Sequence, residues 1–215
     1  MAPVELPWTT GFEDQTCAYS LPVGFCYAMG SATDRVVTAP VHAGDYAAAF
    51  TVTTGMTPGM PSQVRCVRQG MFPAEAYYGA WYFFPQTAVN SDVWNLFHFQ
   101  GGDVNSPHGL WDVSLINGPS GKLNIRVFDF LHTNSADAPA LPIGAWTHIV
   151  FYFKRAKDQT GQVALYQDGV QVVQFSNLNT DDTDWEQWYV GNYATALSPS
   201  PFTVYVDDVT ISATL

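Results

Sequence analysis

Three consecutive segments decide how this chain folds: YYGAWYFFP (77–85), VWNLFHFQGGD (93–103) and GLWDVSLINGPSGKLNIRVFDF (109–130). Each alternates aromatic or β-branched residues with polar ones. Each ends in a turn rich in Gly, Asn or Pro, which is the pattern of an antiparallel meander. In a strand, residues i, i+2 and i+4 share a face. Strict alternation therefore puts Trp94, Leu96, His98 and Gln100 on one face, and Asn95, Phe97 and Phe99 on the other. Asp112 stands with Ser114, and Lys122 with Asn124, Arg126 and Phe128. Tyr78 and Tyr82 share a face of their own strand and would add rings to the same groove. A face that mixes His, Gln, Asp, Asn and Arg with aromatics suits a polar ligand that has stackable rings.

The pattern continues outward. YAAAFTVTT (46–54) and QVRCVRQ (63–69) read as strands, with Arg65 and Val67 on one face of the latter and Cys66 and Arg68 on the other. Residues 17–34 and 131–144 read as loop. WTHIVFYFK (146–154), QVALYQ (162–167) and 170–175 read as strands, with Asp168-Gly169 as a hairpin turn between the last two. Residues 187–193 and 202–212 complete the set. Many short strands and no amphipathic helix predict an all-β, two-sheet sandwich, in a single domain over 1–215.

Composition narrows the function. The 215 residues are 47% hydrophobic and 13% charged, enough for a large core under a neutral polar surface. With net charge −11 and only eight Lys and Arg, no basic patch for nucleic acid can be assembled. No run is long enough to span a membrane, and MAPVELPW (1–8) lacks a signal-peptide pattern. Cys17 and Cys26 flank an irregular loop, so a Cys17–Cys26 disulfide in an oxidising compartment is expected, with Cys66 a buried free thiol. The protein is expected to be secreted and monomeric.

The layout of residues 146–173, with a Trp-initiated strand, a Gly-centred turn, a second strand and an Asp-Gly hairpin, resembles the concanavalin A-like lectin and glucanase superfamily. The order of YYGAWYFFP, WNLFHFQ, LNIRVFDF and WTHIVFYFK is most similar to its jelly-roll polysaccharide lyase branch. The resemblance implies a concanavalin A-like jelly roll that acts on or binds polysaccharide. In the alginate lyase-like pattern, an Arg-bearing strand, a Gln-x-His strand and a Tyr-x-Lys-x-Gly-x-Tyr strand carry the chemistry. Here Arg65 or Arg68 would match the arginine, and His98-x-Gln100 gives the second pair in reversed order. Gly191 and Tyr193 fit the third motif, with Tyr189 at its lysine and Gln187 at its first tyrosine. β-Elimination on a uronate would use Arg65 or Arg68 with Gln100 on the carboxylate, His98 or Tyr193 as base and Tyr193 as acid.

The expected function is a polysaccharide-binding module whose groove carries Tyr78, Tyr82, Trp94, Asp112, Asn124 and Arg126, with a uronate lyase using His98, Gln100, Tyr193 and Arg68 as the alternative. A protein-adhesion module is a third class. Glycoside hydrolysis needs paired carboxylates, and no Glu-x-Asp-x-x-Glu strand is present. The resemblance further implies a structural Ca²⁺ held where the chain ends meet, by Glu13, Asp14, Asp207 and Asp208, since Ca²⁺ takes six to eight oxygen ligands. Asp181, Asp182 and Asp184 are expected to be a solvated loop.

Overall fold

The computed structural model describes residues 4–17, 24–55, 61–103, 106–183 and 186–215. Of the expectations above, those on Met1 to Pro3, Asp184 and the loop residues 18–23 lie outside the described residues. In chain order the strands are β1 (Trp8–Thr10), β2 (Gly24–Met29), β3 (Ala32–Val37), β4 (Ala47–Val52), β5 (Ser62–Gly70) and β6 (Glu75–Phe83). Then come β7 (Val89–Asn90), β8 (Trp94–Asp103), β9 (Ser106–Asn117), β10 (Leu123–Asp129), β11 (Ser135–Ala140) and β12 (Trp146–Lys154). The last are β13 (Gly161–Gln167), β14 (Val170–Leu178), β15 (Glu186–Ala194), β16 (Leu197–Ser198) and β17 (Phe202–Ser212). Among the described residues no helix is long and apolar enough to cross a membrane.

Fifteen of the strands form two antiparallel sheets packed face to face, a concanavalin A-like jelly-roll sandwich, and the short β7 and β16 pair with each other. One sheet runs β14-β13-β12-β6-β17-β4-β3, with β1 added alongside β17. The other runs β11-β10-β9-β8-β15-β5-β2 and carries the groove. Alternation explains most of it. On β10, Leu123, Ile125 and Val127 are buried, while Asn124, Arg126 and Phe128 look out. Between the sheets lie Trp94, Trp111, Trp188, Phe97, Phe99, Phe151 and Phe153, all fully buried.

Alternation fails on β8. A bulge between Asn95 and Phe97 against β9, matched by a register shift between Val190 and Tyr193 on β15, adds a residue locally. Trp94 therefore points inward, its indole N–H donating to Asn192 Oδ1 at 2.9 Å, and Leu96 and Phe97 are both core. Asn95 swings outward. Trp94 is thus not a groove ring, contrary to the strict alternation.

Tyr78 and Tyr82 are also core residues rather than groove rings. Both are fully buried on the inner face of β6, in the opposite sheet. Tyr82 has a specific task. Its hydroxyl reaches across the sandwich to within 3.2 Å of the carbonyl oxygens of Leu96 and Gly191, and it accepts from the Gly191 N–H at 3.2 Å. It therefore bonds the backbone that the bulge leaves out of the ladder. Tyr82→Phe keeps the ring but strands those groups, and should lower unfolding free energy by about 1–3 kcal/mol in denaturant titration. An unchanged midpoint and slope would remove this role.

Residues 24–29, and 32–34 at the start of β3, lie in strands where the sequence reads as loop. β2 pairs β5 with Cys26 directly opposite Cys66, and these two form the disulfide. Cys17 is the free, buried thiol, and burial pushes its pKa up to about 12. The expected Cys17–Cys26 pairing is therefore corrected, because the partner is set by strand register rather than by proximity in sequence. The bond closes a sequence separation of 40 residues. Its removal (Cys26→Ala with Cys66→Ala) should cost about 4 kcal/mol on loop-closure arithmetic. In a chain of this size that lowers Tm by roughly 10 °C. A Tm within a degree of wild type would show that β2 holds without it.

Candidate active site

The outward face of the seven-stranded sheet holds a cavity of about 510 Å³, lined from β5, β15, β8, β9 and β10. Its centre is Arg65. Gly191 faces Arg65 across the β5–β15 ladder, and a Cβ there would lie 2.2 Å from the Val64 carbonyl and 3.0 Å from Arg65 Cα and Cγ. Only glycine leaves this space, and Arg65 fills it. The guanidinium lies 4.3 Å from the ring centroid of Tyr193 and 5.2 Å from that of Tyr189, so it is held between the two rings by cation–π contact. Among the described residues no carboxylate lies within ion-pair distance of it.

Beside Arg65 stands a second group. His98 Nδ1 is 2.6 Å from Asp112 Oδ1, and Asn95 Nδ2 donates to Asp112 Oδ2 at 2.6 Å. A carboxylate can only accept, so Nδ1 carries the proton and Nε2 is the ring's open, basic nitrogen. Asp112 is nearly buried, and these two bonds satisfy its charge. The bulge matters here because it brings Asn95, expected on the inner face, to Asp112.

The two tyrosines differ. Burial pushes the Tyr189 phenol up to about 12, with Tyr27 adding to the shift and Arg65 opposing it. Its hydroxyl bonds to Gln100 Oε1 and Gln187 Oε1. Tyr189 is thus a neutral, engaged phenol. The Tyr193 hydroxyl has no hydrogen-bond partner among the described residues, and its side chain lines the cavity.

The structure therefore brings His98, Gln100, Asp112, Tyr193 and, of the two candidate arginines, Arg65 to one place, and adds Asn95 and Tyr189. Arg68 is elsewhere: it points inward, buried, with its guanidinium 5.3 Å from the Trp8 ring centroid, so of the two arginines Arg65 is the groove residue. Arg126 lines the cavity but is paired with Asp137 at 2.7 Å. Asn124 is on the groove face of β10 but lies at the strand's far end, donating to the Ala138 carbonyl at 2.9 Å, and does not line the cavity. Asn95 could not be found from alternation. Arg65 was one of two arginines the sequence offered, and the strand register that sets it opposite Gly191 decides between them.

In the eight-stranded sheet, where β17 shifts register against β6, Glu13, Asp207 and Asp208 gather around Gly11. A Cβ on Gly11 would lie 3.3 Å from Asp208 Oδ1, 3.6 Å from Asp207 Oδ1 and 3.8 Å from Glu13 Cγ. Asp207 is buried and accepts from the N–H groups of His42, Ala43 and Asp208. Burial raises its pKa, and these amide bonds oppose the rise. Asp208 Oδ2 is 2.7 Å from His42 Nδ1, and Glu13 accepts from the Asp45 and Tyr46 amides. Asp14 turns away to Thr16. Among the described residues no three His, Cys, Asp or Glu side chains are grouped closely enough to hold a metal ion by themselves. Asp181 is not solvated as expected: it is buried and ion-paired with Arg155 at 2.8 Å, whereas Asp182 is exposed.

The polysaccharide lyase family model matches residues 13–210. The chain belongs to the polysaccharide lyase family. As a member of that family it is a polysaccharide-acting jelly-roll module. Solved structures agree on the fold. An endo-β-1,4-glucuronan lyase from the fungus Trichoderma reesei superposes with TM-score 0.71 at 19% identity, covering 96% of this chain and 95% of that one. The cellulose-induced protein Cip1 gives 0.64 at 15%, covering 96% and 97%. The alginate lyase Aly36B, solved as a mutant with an alginate trisaccharide, gives 0.63 at 11%, covering 97% and 98%. No curated protein sequence matches this family member.

Proposed function

We propose that this protein is a lyase that cleaves a uronate-containing polysaccharide by β-elimination in the groove around Arg65. The observation that carries the proposal is an arginine with no carboxylate partner among the described residues, set beside a carboxylate-oriented histidine and a tyrosine whose hydroxyl has no partner among them. Pure sugar binding does not need this triad, but elimination needs all of it. The guanidinium pairs with the substrate carboxylate and stabilises the charge that develops there when the C5 proton leaves. His98 Nε2 takes that proton, with Asp112 holding the ring in the required tautomer. The C5–H electron pair forms the C4=C5 bond and the C4–O bond breaks. The Tyr193 hydroxyl donates its proton to the departing oxygen. The printed substrates of two similar structures, glucuronan and alginate, support a uronate polymer. The Cys26–Cys66 bond supports an oxidising, extracellular setting.

The test is incubation with a panel of uronate and neutral glycans. The proposal expects near-ultraviolet absorbance from unsaturated uronate on one or more uronate polymers. Retention of a glycan on immobilised protein with no absorbance change on any would instead identify a binding module.

A structural Ca²⁺ near Gly11 is a separate proposal. The donor set of Glu13, Asp207 and Asp208 is all oxygen, which suits Ca²⁺, and backbone carbonyls would have to complete the shell. Chelator should then lower Tm and added Ca²⁺ restore it, by about 2.7 kcal/mol at hundredfold saturation. Identical melting curves would remove the site.

A further inference from the structure

We infer that the groove is built for a polysaccharide in which uronates are sparse, one carboxylate at the cleaved position with uncharged sugars on either side, rather than for a homopolymer charged at every residue. The inference rests on the lyase reading above and narrows its substrate.

The argument is one of charge. All eight Lys and Arg lie within the described residues. Arg35 is on β3, and Lys154 on β12, both in the opposite sheet. Arg68 is turned into the sandwich against Trp8, and Arg155 is held by Asp181. Lys122 sits at the β9–β10 turn, outside the cavity, and Lys157 in the turn after β12. Only Arg65 and Arg126 reach the cavity, and Asp137 neutralises Arg126. Among the described residues, the acids facing the cavity are Asp112, held by His98 and Asn95, and Asp92 at one end. The cavity thus offers one cation that is in no ion pair among the described residues, in a protein of net charge −11. It can match one carboxylate. Carboxylates on the next sugars would lie well within a Debye length of that acidic body and be repelled.

What flanks Arg65 is uncharged and suited to sugar faces and hydroxyls. From β10 to β2 the sheet crosses five strand spacings, roughly 24 Å, which is several sugar rings. On the β2 side are Phe25, which is exposed, and Tyr27, with the amides of Gln69 and Gln187 bonded to each other. On the β10 side Phe130 is 42% exposed and lines the cavity. Phe130 is fixed there. A Cβ on Gly109 would come within 2.9 Å of its ring, and buried Asp129 accepts from the Leu131 and His132 N–H groups at 2.8 and 3.2 Å to hold the turn. Aromatic faces and amides on both sides of a single cation bind neutral sugars by stacking and hydrogen bonds.

The experiment compares two polymers at equal uronate concentration and low salt: a homopolymer of 4-linked glucuronate, and one in which 4-linked glucuronate alternates with a neutral hexose. The expected kcat/KM is roughly tenfold higher on the alternating polymer, with the gap closing as salt is added. Gln69→Lys, which adds a cation beside Arg65's strand partners, should narrow the gap at low salt, as should Asp137→Ala, which releases Arg126. Equal or faster cleavage of the homopolymer by wild type at low salt would overturn the inference while leaving elimination intact. If neither polymer is cleaved, the elimination reading fails. Equilibrium binding of the same two polymers then decides the charge preference: tighter binding of the alternating polymer supports it, and tighter binding of the homopolymer overturns it.

Discussion

Replacing Tyr193 by Phe should lower turnover by about 10²–10⁴-fold while leaving substrate affinity nearly unchanged. The substitution removes one oxygen. The ring, and with it the 4.3 Å contact to the Arg65 guanidinium, is retained, so the cation stays in place. The Tyr193 hydroxyl has no protein partner among the described residues, so its removal leaves no buried group stranded. What the proposed mechanism loses is the proton for the departing sugar oxygen. Affinity measured on a slow substrate and kcat measured by absorbance separate the two effects. A fall in affinity with kcat preserved would make Tyr193 a binding residue. Tyr189→Phe is the control. Its hydroxyl bonds Gln100 and Gln187, so its loss should disturb the groove wall rather than remove the proton donor.

Replacing Arg65 by Ala should lower kcat/KM by about 10²–10³-fold. In the proposed elimination the guanidinium is the charge that the uronate carboxylate meets, and it acts most strongly when the C5 proton has gone and negative charge spreads onto that group. Arg65→Lys should recover part of the loss, because the charge remains but the planar fork that grips a carboxylate in two places does not. Neutral polysaccharides, if they bind, should be indifferent to both changes apart from the lost stack between Tyr189 and Tyr193. Steady-state rates of the two variants on a uronate polymer decide the matter. An Arg65→Ala enzyme with wild-type kcat/KM would place the carboxylate elsewhere.

The fold was readable because most of its strands obey a period of two. The 123–129 strand shows Leu, Ile and Val inward and Asn, Arg and Phe outward, as the sequence pattern requires. Segments that break the pattern were not readable. β3, ATDRVV, is mostly exposed on a sheet edge, and β11, SADAPA, has neither the bulk nor the branching that marks a strand. The cysteine pairing was hidden for the same reason: without β2 as a strand there is no register to oppose Cys26 to Cys66. The site was half readable. His98, Gln100, Asp112 and Tyr193 point outward as their positions predict. Asn95 and Trp94 exchange faces because of a bulge that no local residue type announces. Tyr78 and Tyr82 carry a period-two signal that fits either face of a sheet. Their burial is decided by the opposing sheet, and Tyr82 is tolerated there because the bulge supplies backbone groups for its hydroxyl.

The measurement that tests the central claim most directly is the structure of the product released from a uronate polymer. Wild-type protein should yield fragments whose new non-reducing end shows, by proton NMR, a vinyl proton at C4 and no proton at C5. Their mass should be one water below that of a hydrolysed fragment, and the Tyr193→Phe protein should yield almost none. Fragments with saturated ends that have gained water, or intact polymer recovered from every uronate tested, would contradict elimination in the Arg65 groove.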